Sequence, residues 1–305
     1  MANRRVLVKR RKAVRNIRKI TRTMQLIATA RFQAAFNRAV ASKPYSDKLG
    51  ELVNDLSGAA GSTDHPLMQT HDEAKRSALV VITSTRGLCG GYNSNVLRTA
   101  VEHIDTHTDA GAGRGVDVTM VGTKGRNYFR FLKRDMAQQI TDLGDTPRFD
   151  QVEPIANDLI QRFEAGEISS VNVAYMRFIS TSRQRPEVLQ LLPLASEVDS
   201  AGAEGAGAEG EAATENTGTQ VEYEFSPEPE ALLSELLPAS VRMRLFQCFN
   251  DAVVSEQVAR MVAMKAATDA AGEMIQTLTQ QYNRARQTHI TMELLDIIGG
   301  AAAIE

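Results

Sequence analysis

The apolar positions of this chain follow two rhythms. Near the N-terminus Ala13, Ile17, Ile20, Met24, Ile27, Arg31 and Ala34 step alternately by four and three, and all but Arg31 are apolar. That is the seam of a helix lying lengthwise on another helix. No Gly precedes Gly50 and the first Pro is Pro44, so the pattern predicts a helix from about Arg4 to Lys43 that continues, kinked, toward Leu56. The far end repeats the stepping at Met264, Ala267, Ala271, Met274, Leu278, Gln281, Ala285, Thr288, Met292 and Leu295. Residues 240–298 contain no Pro and one Gly, Gly272, and the pair Gly299–Gly300 is expected to end this second helix. Such a helix reaches roughly 88 Å at about 1.5 Å per residue, beyond the roughly 50 Å diameter of a compact chain of this length, so it is expected to project.

The middle of the chain has a shorter period. Residues 78–83, 116–121, 171–178 and 188–194 are β-branched runs, with helical patterns at 95–106, 125–133 and 154–165 between the first of them. Strands alternating with helices predict an α/β sheet domain. From 196 to 220 the sequence turns small and acidic, with too little apolar surface to order it. The chain is therefore divided into a first coiled-coil helix at 1–57, an α/β domain at 75–195, a disordered acidic insertion at 196–220, a return segment at 221–237 and a last coiled-coil helix at 238–305.

Charge sharpens this picture. The net charge is only -2, yet the first 46 residues hold thirteen Lys or Arg and no Asp or Glu. Between Arg185 and Arg242 there are twelve carboxylates and no Lys or Arg. A basic block of that size calls for an acidic partner. With 43% hydrophobic residues the chain can bury a core, but it has no apolar run long enough to span a bilayer. Two cysteines, Cys89 and Cys248, are too few for a disulfide scaffold or a four-ligand zinc site, and a reducing compartment is expected.

Candidate chemistry is sparse. The glycine-rich segment from Thr83 to Ser94 follows a strand and precedes a helix, where a phosphate could rest. It lacks the G-x-G-x-x-G spacing and the Gly-Lys-Ser/Thr ending, and reads better as a tight turn. His103 and His107 have metal-compatible spacing without a zinc-protease acid between them, and read as a solvated helix face. Cys89 and Cys248 read as packed thiols. The basic N-terminus by itself would suit a nucleic-acid patch or a mitochondrial presequence, but neither explains the matching stripe at the C-terminus, which a coiled coil does. A nucleotide-dependent α/β enzyme and a basic nucleic-acid binder are the competing readings.

Four blocks carry a family resemblance: Ile17 to Met24; Arg86 to Gly91 with Asn93 to Asn95; Met261 to Asp269; and Tyr282 to Gln287 through Ile290–Thr291 to Gly299–Ala303. The chain resembles the gamma subunit of the F-type ATP synthase from about Asn3 to Ile304, the acidic insertion apart. The resemblance implies a mixed α+β and α/β fold, with a long antiparallel coiled coil of the N- and C-terminal helices and a central Rossmann-like α/β domain. It implies a non-catalytic rotor that turns inside a ring of three alpha and three beta subunits, couples proton flow to ATP synthesis or hydrolysis, and regulates both. No cofactor, metal, nucleotide or nucleic acid is implied; the partners are alpha, beta, epsilon and the c-ring. Contacts with the catch and lever loops of beta map onto Arg286, Gln287 and Thr291, and onto Met24 with Lys19 and Arg22. A resemblance beginning almost at Met1 leaves no room for a presequence, so a bacterial inner-membrane complex, approached from the cytoplasmic side, is expected.

Overall fold

A computed structural model describes residues 4–59, 65–71, 73–74, 76–109, 115–144, 146–194 and 229–302. The acidic insertion at 196–220 lies outside the described residues. The chain divides into two compact units. The first takes Met1–Gln33, Leu88–Gly90 and Gln257–Glu305; the second takes Ala34–Gly87 and Gly91–Glu256.

The second unit holds a five-stranded sheet. Its strands are β1 (Arg76–Ile82), β2 (Gly115–Val121), β3 (Gln138–Ile140), β4 (Val171–Phe178) and β5 (Gln184–Leu192), in the order β3-β2-β1-β4-β5. The first four run parallel and β5 is antiparallel to β4. Helices α2 (Tyr92–Asp109), α3 (Thr123–Phe131) and α4 (Phe149–Glu164) connect the parallel strands. The chain winds outward from β1 through β2 to β3, then returns to β4 on the other side of β1. This is the doubly wound order of a nucleotide-binding-type sheet, with its switch point between β1 and β4.

Burial follows from that topology. β1 is buried along nearly its whole length because helices cover both faces. Ala78, Val80 and Ile82 join a core with Val171, Val173 and Tyr175 of β4 and with Val152, Ile155, Leu159 and Phe163 of α4. The same core takes Leu233, Leu237, Val241, Leu245 and Phe249 from the start of α5 (Pro229–Ala302). β3 is a strand the sequence pattern does not reveal: it has three residues, two of them exposed.

Both terminal helices differ at their ends from the sequence expectation. α1 (Arg4–Ala59) runs through Pro44 as expected. α5 begins at Pro229 rather than near Ser240, and passes through Pro238. Fully buried Leu233, Leu237 and Val241 on either side of that proline supply anchoring that outweighs one lost backbone hydrogen bond. Gly299 and Gly300 do not end the helix, which reaches Ala302. A helical Gly costs only about 1 kcal/mol relative to Ala.

Candidate functional site

In the first unit, α1 and α5 lie side by side and antiparallel. Thr268 Oγ1 donates to Thr21 Oγ1 at 2.8 Å, the Arg18 guanidinium carbon lies 3.7 Å from where a Cβ on Gly272 would stand, and the Arg11 guanidinium sits 5.0 Å from the Tyr282 ring centre, with Arg4 at 5.8 Å. As the α1 position falls from 21 through 18 to 11, its α5 partner rises from 268 through 272 to 282.

The observed seam corrects the expected one. Between Leu7 and Ala28 the seam positions of α1 that are buried or half-buried are Leu7, Arg11, Val14, Thr21, Gln25 and Ala28, with exposed Arg18 completing the spacing. The spacing is the predicted heptad, but the phase is one residue later, a turn of roughly 100° about the helix axis. Ala13 and Ala34 are exposed, as are Ile17 (51%), Ile20 (59%) and Ile27 (49%); Met24 and Arg31 are half-buried. In α5 the predicted positions Met264, Ala271 and Leu278 are buried and Ala267 and Ala285 half-buried, while Thr288, Met292 and Leu295 are exposed. The alternate positions belong instead to Thr268, Ile275 and Tyr282, while Met274 and Gln281 face outward. Of the alanines along this stretch, Ala271 is buried and Ala263 and Ala267 half-buried, while Ala266 and Ala270 are exposed.

The physical reason is that α1 carries two stripes. Counting hydrophobic residues selects the richer one, Ile17, Ile20, Met24 and Ile27, but the helix pair uses the poorer one. Its polar members find partners specific to this pairing: hydroxyl to hydroxyl for Thr21, the space beside Gly272 for Arg18, and an aromatic face for Arg11. The apolar stripe is left outward, the arrangement of a surface meant to be covered.

Beyond Ala285 every α5 residue up to Gly299 whose side chain is described is exposed. The six residues carried over from the resemblance fall on this unit in two separate groups. Lys19 and Arg22 are exposed and Met24 is half-buried; Arg22 donates to Gln25 Oε1 at 3.3 Å. Arg286, Gln287 and Thr291 are exposed on the far stretch of α5, with Thr291 Oγ1 donating to the Gln287 carbonyl at 3.0 Å. Near that level lies a groove of about 1130 Å³, lined by Arg4, Arg5, Tyr282, Arg284, His289 and Met292 among others. Sequence reasoning missed this groove because its sides come from opposite ends of the chain.

The glycine turn after β1 is stitched into the sheet. Thr83 donates through its amide and its hydroxyl to the Val121 carbonyl at 3.0 and 2.7 Å. At the N-terminus of α3, the Gly125 amide donates to Thr83 Oγ1 at 3.0 Å and the Lys124 amide to the Ser84 carbonyl at 3.1 Å. Gly122 is required here: its φ is +92°, and a Cβ would stand 2.2 Å from the Thr83 carbonyl oxygen. Ser84 is held by Asn93, whose Oδ1 accepts from the Ser84 amide at 3.0 Å. Two amides of the first turn of α3, those of Lys124 and Gly125, are thus engaged by the chain itself.

His103 and His107 do not form a freely solvated face. Their ring centres are 4.0 Å apart and His103 is half-buried; burial first, then the neighbouring His107, lowers the His103 pKa to about 4. Among the described residues no group of three or more His, Cys, Asp or Glu is placed to hold a metal ion. Cys89 and Cys248 are both buried. No described helix is long and apolar enough to cross a membrane.

Paired antiparallel terminal helices together with a doubly wound sheet define a protein of the ATP synthase central-stalk fold. A rotor chain of the Euglena gracilis mitochondrial ATP synthase matches with a TM-score of 0.62 at 15% identity, covering 94% of this chain and 98% of that one. A central-stalk chain from Tetrahymena thermophila matches with a TM-score of 0.57 at 21% identity, over 81% and 99%. The family described as ATP synthase matches residues 3–304. The ATP synthase gamma chain of Rhodopirellula baltica is 43% identical over the whole of both chains, and that of Leptospira biflexa 38% identical, again over the whole of both. This chain belongs to the ATP synthase gamma-chain family.

Proposed function

We propose that this chain is the non-catalytic central shaft of a bacterial rotary ATP synthase. Its helix pair turns inside a ring of alpha and beta subunits and couples proton flow through the membrane sector to ATP synthesis or hydrolysis on beta; through the same contacts it regulates both. The observation that carries this reading is the outward apolar stripe of Ile17, Ile20 and Ile27 on the basic stretch of α1, free of Asp and Glu as far as Ser46, whose other side is already paired. Such a surface suits a surrounding wall with apolar and acidic parts.

Shaft residues act by touching the three beta subunits unequally. At each angle the contacts favour one beta conformation over another, and a bias of about 1.4 kcal/mol shifts each equilibrium tenfold. Lys19, Arg22 and Met24 meet the beta lever loop. Arg286, Gln287 and Thr291 meet the catch loop, from the stretch of α5 exposed on all sides. The sheet unit serves as the foot, held by epsilon and the c-ring, and the complex sits on the cytoplasmic face of the inner membrane. The engaged amides at the start of α3 support a foot that uses a nucleotide-binding-type sheet as scaffold and binds no nucleotide. The limits expected from the sequence draw the shaft helices from 1–57 and 238–305; their stretches 34–57 and 238–256 belong to the second unit.

The test is a double variant. Arg286→Ala with Gln287→Ala in the assembled complex lowers ATP synthesis in membranes while hydrogen exchange in the sheet unit stays unchanged. Undiminished synthesis overturns the catch-loop assignment.

A further inference from the structure

The second unit contains a polar cluster that the shaft reading does not use. Four elements meet there. From β4, the Tyr175 hydroxyl donates to Glu187 Oε1 of β5 at 2.8 Å, and Arg177 Nη1 lies 3.6 Å from Glu187 Oε2. From α5, the Asp251 carboxylate accepts a hydrogen bond from Gln247 Nε2 at 3.0 Å. Gln247 in turn accepts from the Ser42 hydroxyl of α1 at 3.3 Å. Cys248, 2% exposed, packs against the Tyr175 side of the cluster.

The groups that face Asp251 are unequally matched. Glu187 is a second carboxylate of the same sign, while Arg177 and Lys43 oppose the Asp251 charge; Arg244 acts on Cys248 from the same helix. Arg177 reaches Glu187 directly, whereas Asp251 accepts its hydrogen bond from a neutral amide. Two carboxylates in one half-buried site, with the nearer cation on one of them, favour holding a proton on the other.

We propose that Asp251 and Glu187 form a proton-operated joint at which α1, α5 and the β4–β5 hairpin are fastened. With a proton on Asp251 the two carboxyl groups no longer repel and the junction closes over Cys248. Without it a buried charge is left on α5 and the junction opens more often. Burial, the largest cause, with Glu187 adding to it against Gln247 and Arg177, places the Asp251 pKa at about 6 instead of 3.8. The transition therefore falls between mildly acidic and neutral pH.

Cys248 reports opening directly. In the purified full chain, alkylation of Cys248 by iodoacetamide is followed by mass spectrometry, which separates it from Cys89, and each rate is divided by that of glutathione at the same pH. Between the open-state and closed-state carboxyl values, opening changes tenfold per pH unit. The normalised rate is expected to rise roughly tenfold from pH 5 to pH 7.5, and Asp251→Asn is expected to give a slow rate at every pH. A flat wild-type curve overturns the proposal without any variant. A rise that persists unchanged in Asp251→Asn overturns it as well. Should that variant not fold, Glu187→Gln provides the second arm: removing the like charge moves the wild-type rise to lower pH, and an unmoved curve counts against the pair.

Discussion

Replacing Ala28 by Leu and, separately, Ile20 by Ala sets the observed seam against the one that hydrophobic counting selects. Ala28 is 1% exposed in the first unit and Ile20 59% exposed. Three extra carbons at Ala28 have nowhere to go, and overpacking of this kind costs about 1–3 kcal/mol. Truncating Ile20 removes a side chain worth about 1.5–3 kcal/mol when fully buried; with less than half of it covered, the loss to the free chain is under about 1 kcal/mol. The rest of its surface gains only when a partner covers it, so about 1–2 kcal/mol appears in assembly, a roughly tenfold weaker association. Hydrogen exchange of peptides spanning 261–282 reads the helix pair, because opening accelerates by the same free energy. Ala28→Leu is expected to speed exchange by roughly five- to a hundredfold, and Ile20→Ala to leave it nearly unchanged while weakening capture by an immobilised alpha–beta ring. The reverse order in the free chain refutes the seam assignment.

Three further outcomes follow from the geometry. Gly122→Ala is expected to unfold or strongly destabilise the sheet unit, by more than about 3 kcal/mol, because it combines a backbone conformation that suits only Gly with a Cβ 2.2 Å from the Thr83 oxygen; a melting temperature within a degree of wild type contradicts this. Tyr282→Leu removes the face shared by Arg4 and Arg11 and is expected to cost about 1–2 kcal/mol in the helix pair, measured by the same exchange peptides; no change refutes the arginine contacts. His103, with its pKa lowered to about 4, takes up its proton more readily unfolded than folded, so its contribution is complete above pH 6.5 and is lost as pH falls toward 4. His103→Gln is expected to flatten that part of the stability–pH curve, and an identical curve removes His103 as its source.

Periods were easier to read from this sequence than phases. Steps of four and three announce two long helices wherever apolar residues recur, and the β-branched runs mark four of the five strands. Which stripe of α1 forms the seam depends on partners that a single stripe does not contain: Arg11 is acceptable half-buried because the Tyr282 ring stands opposite it, and Arg18, itself exposed, fits along the seam because Gly272 leaves it room. β3 carries too few residues for any period. The Asp251 cluster gathers positions 42–43, 175–187 and 244–251, whose proximity exists only once the sheet and both helices have formed. At the glycine turn the spacing carries no phosphate signature, and the structure adds what no spacing shows, that Thr83 and Ser84 tie the turn to the start of α3.

Rotation can be watched directly. With the alpha–beta ring fixed to a surface and a bead attached through Phe131→Cys, a position 81% exposed on the sheet unit, ATP is expected to drive the bead in one direction in repeated steps. A bead that stays still while the ring hydrolyses ATP at its full rate contradicts the shaft account.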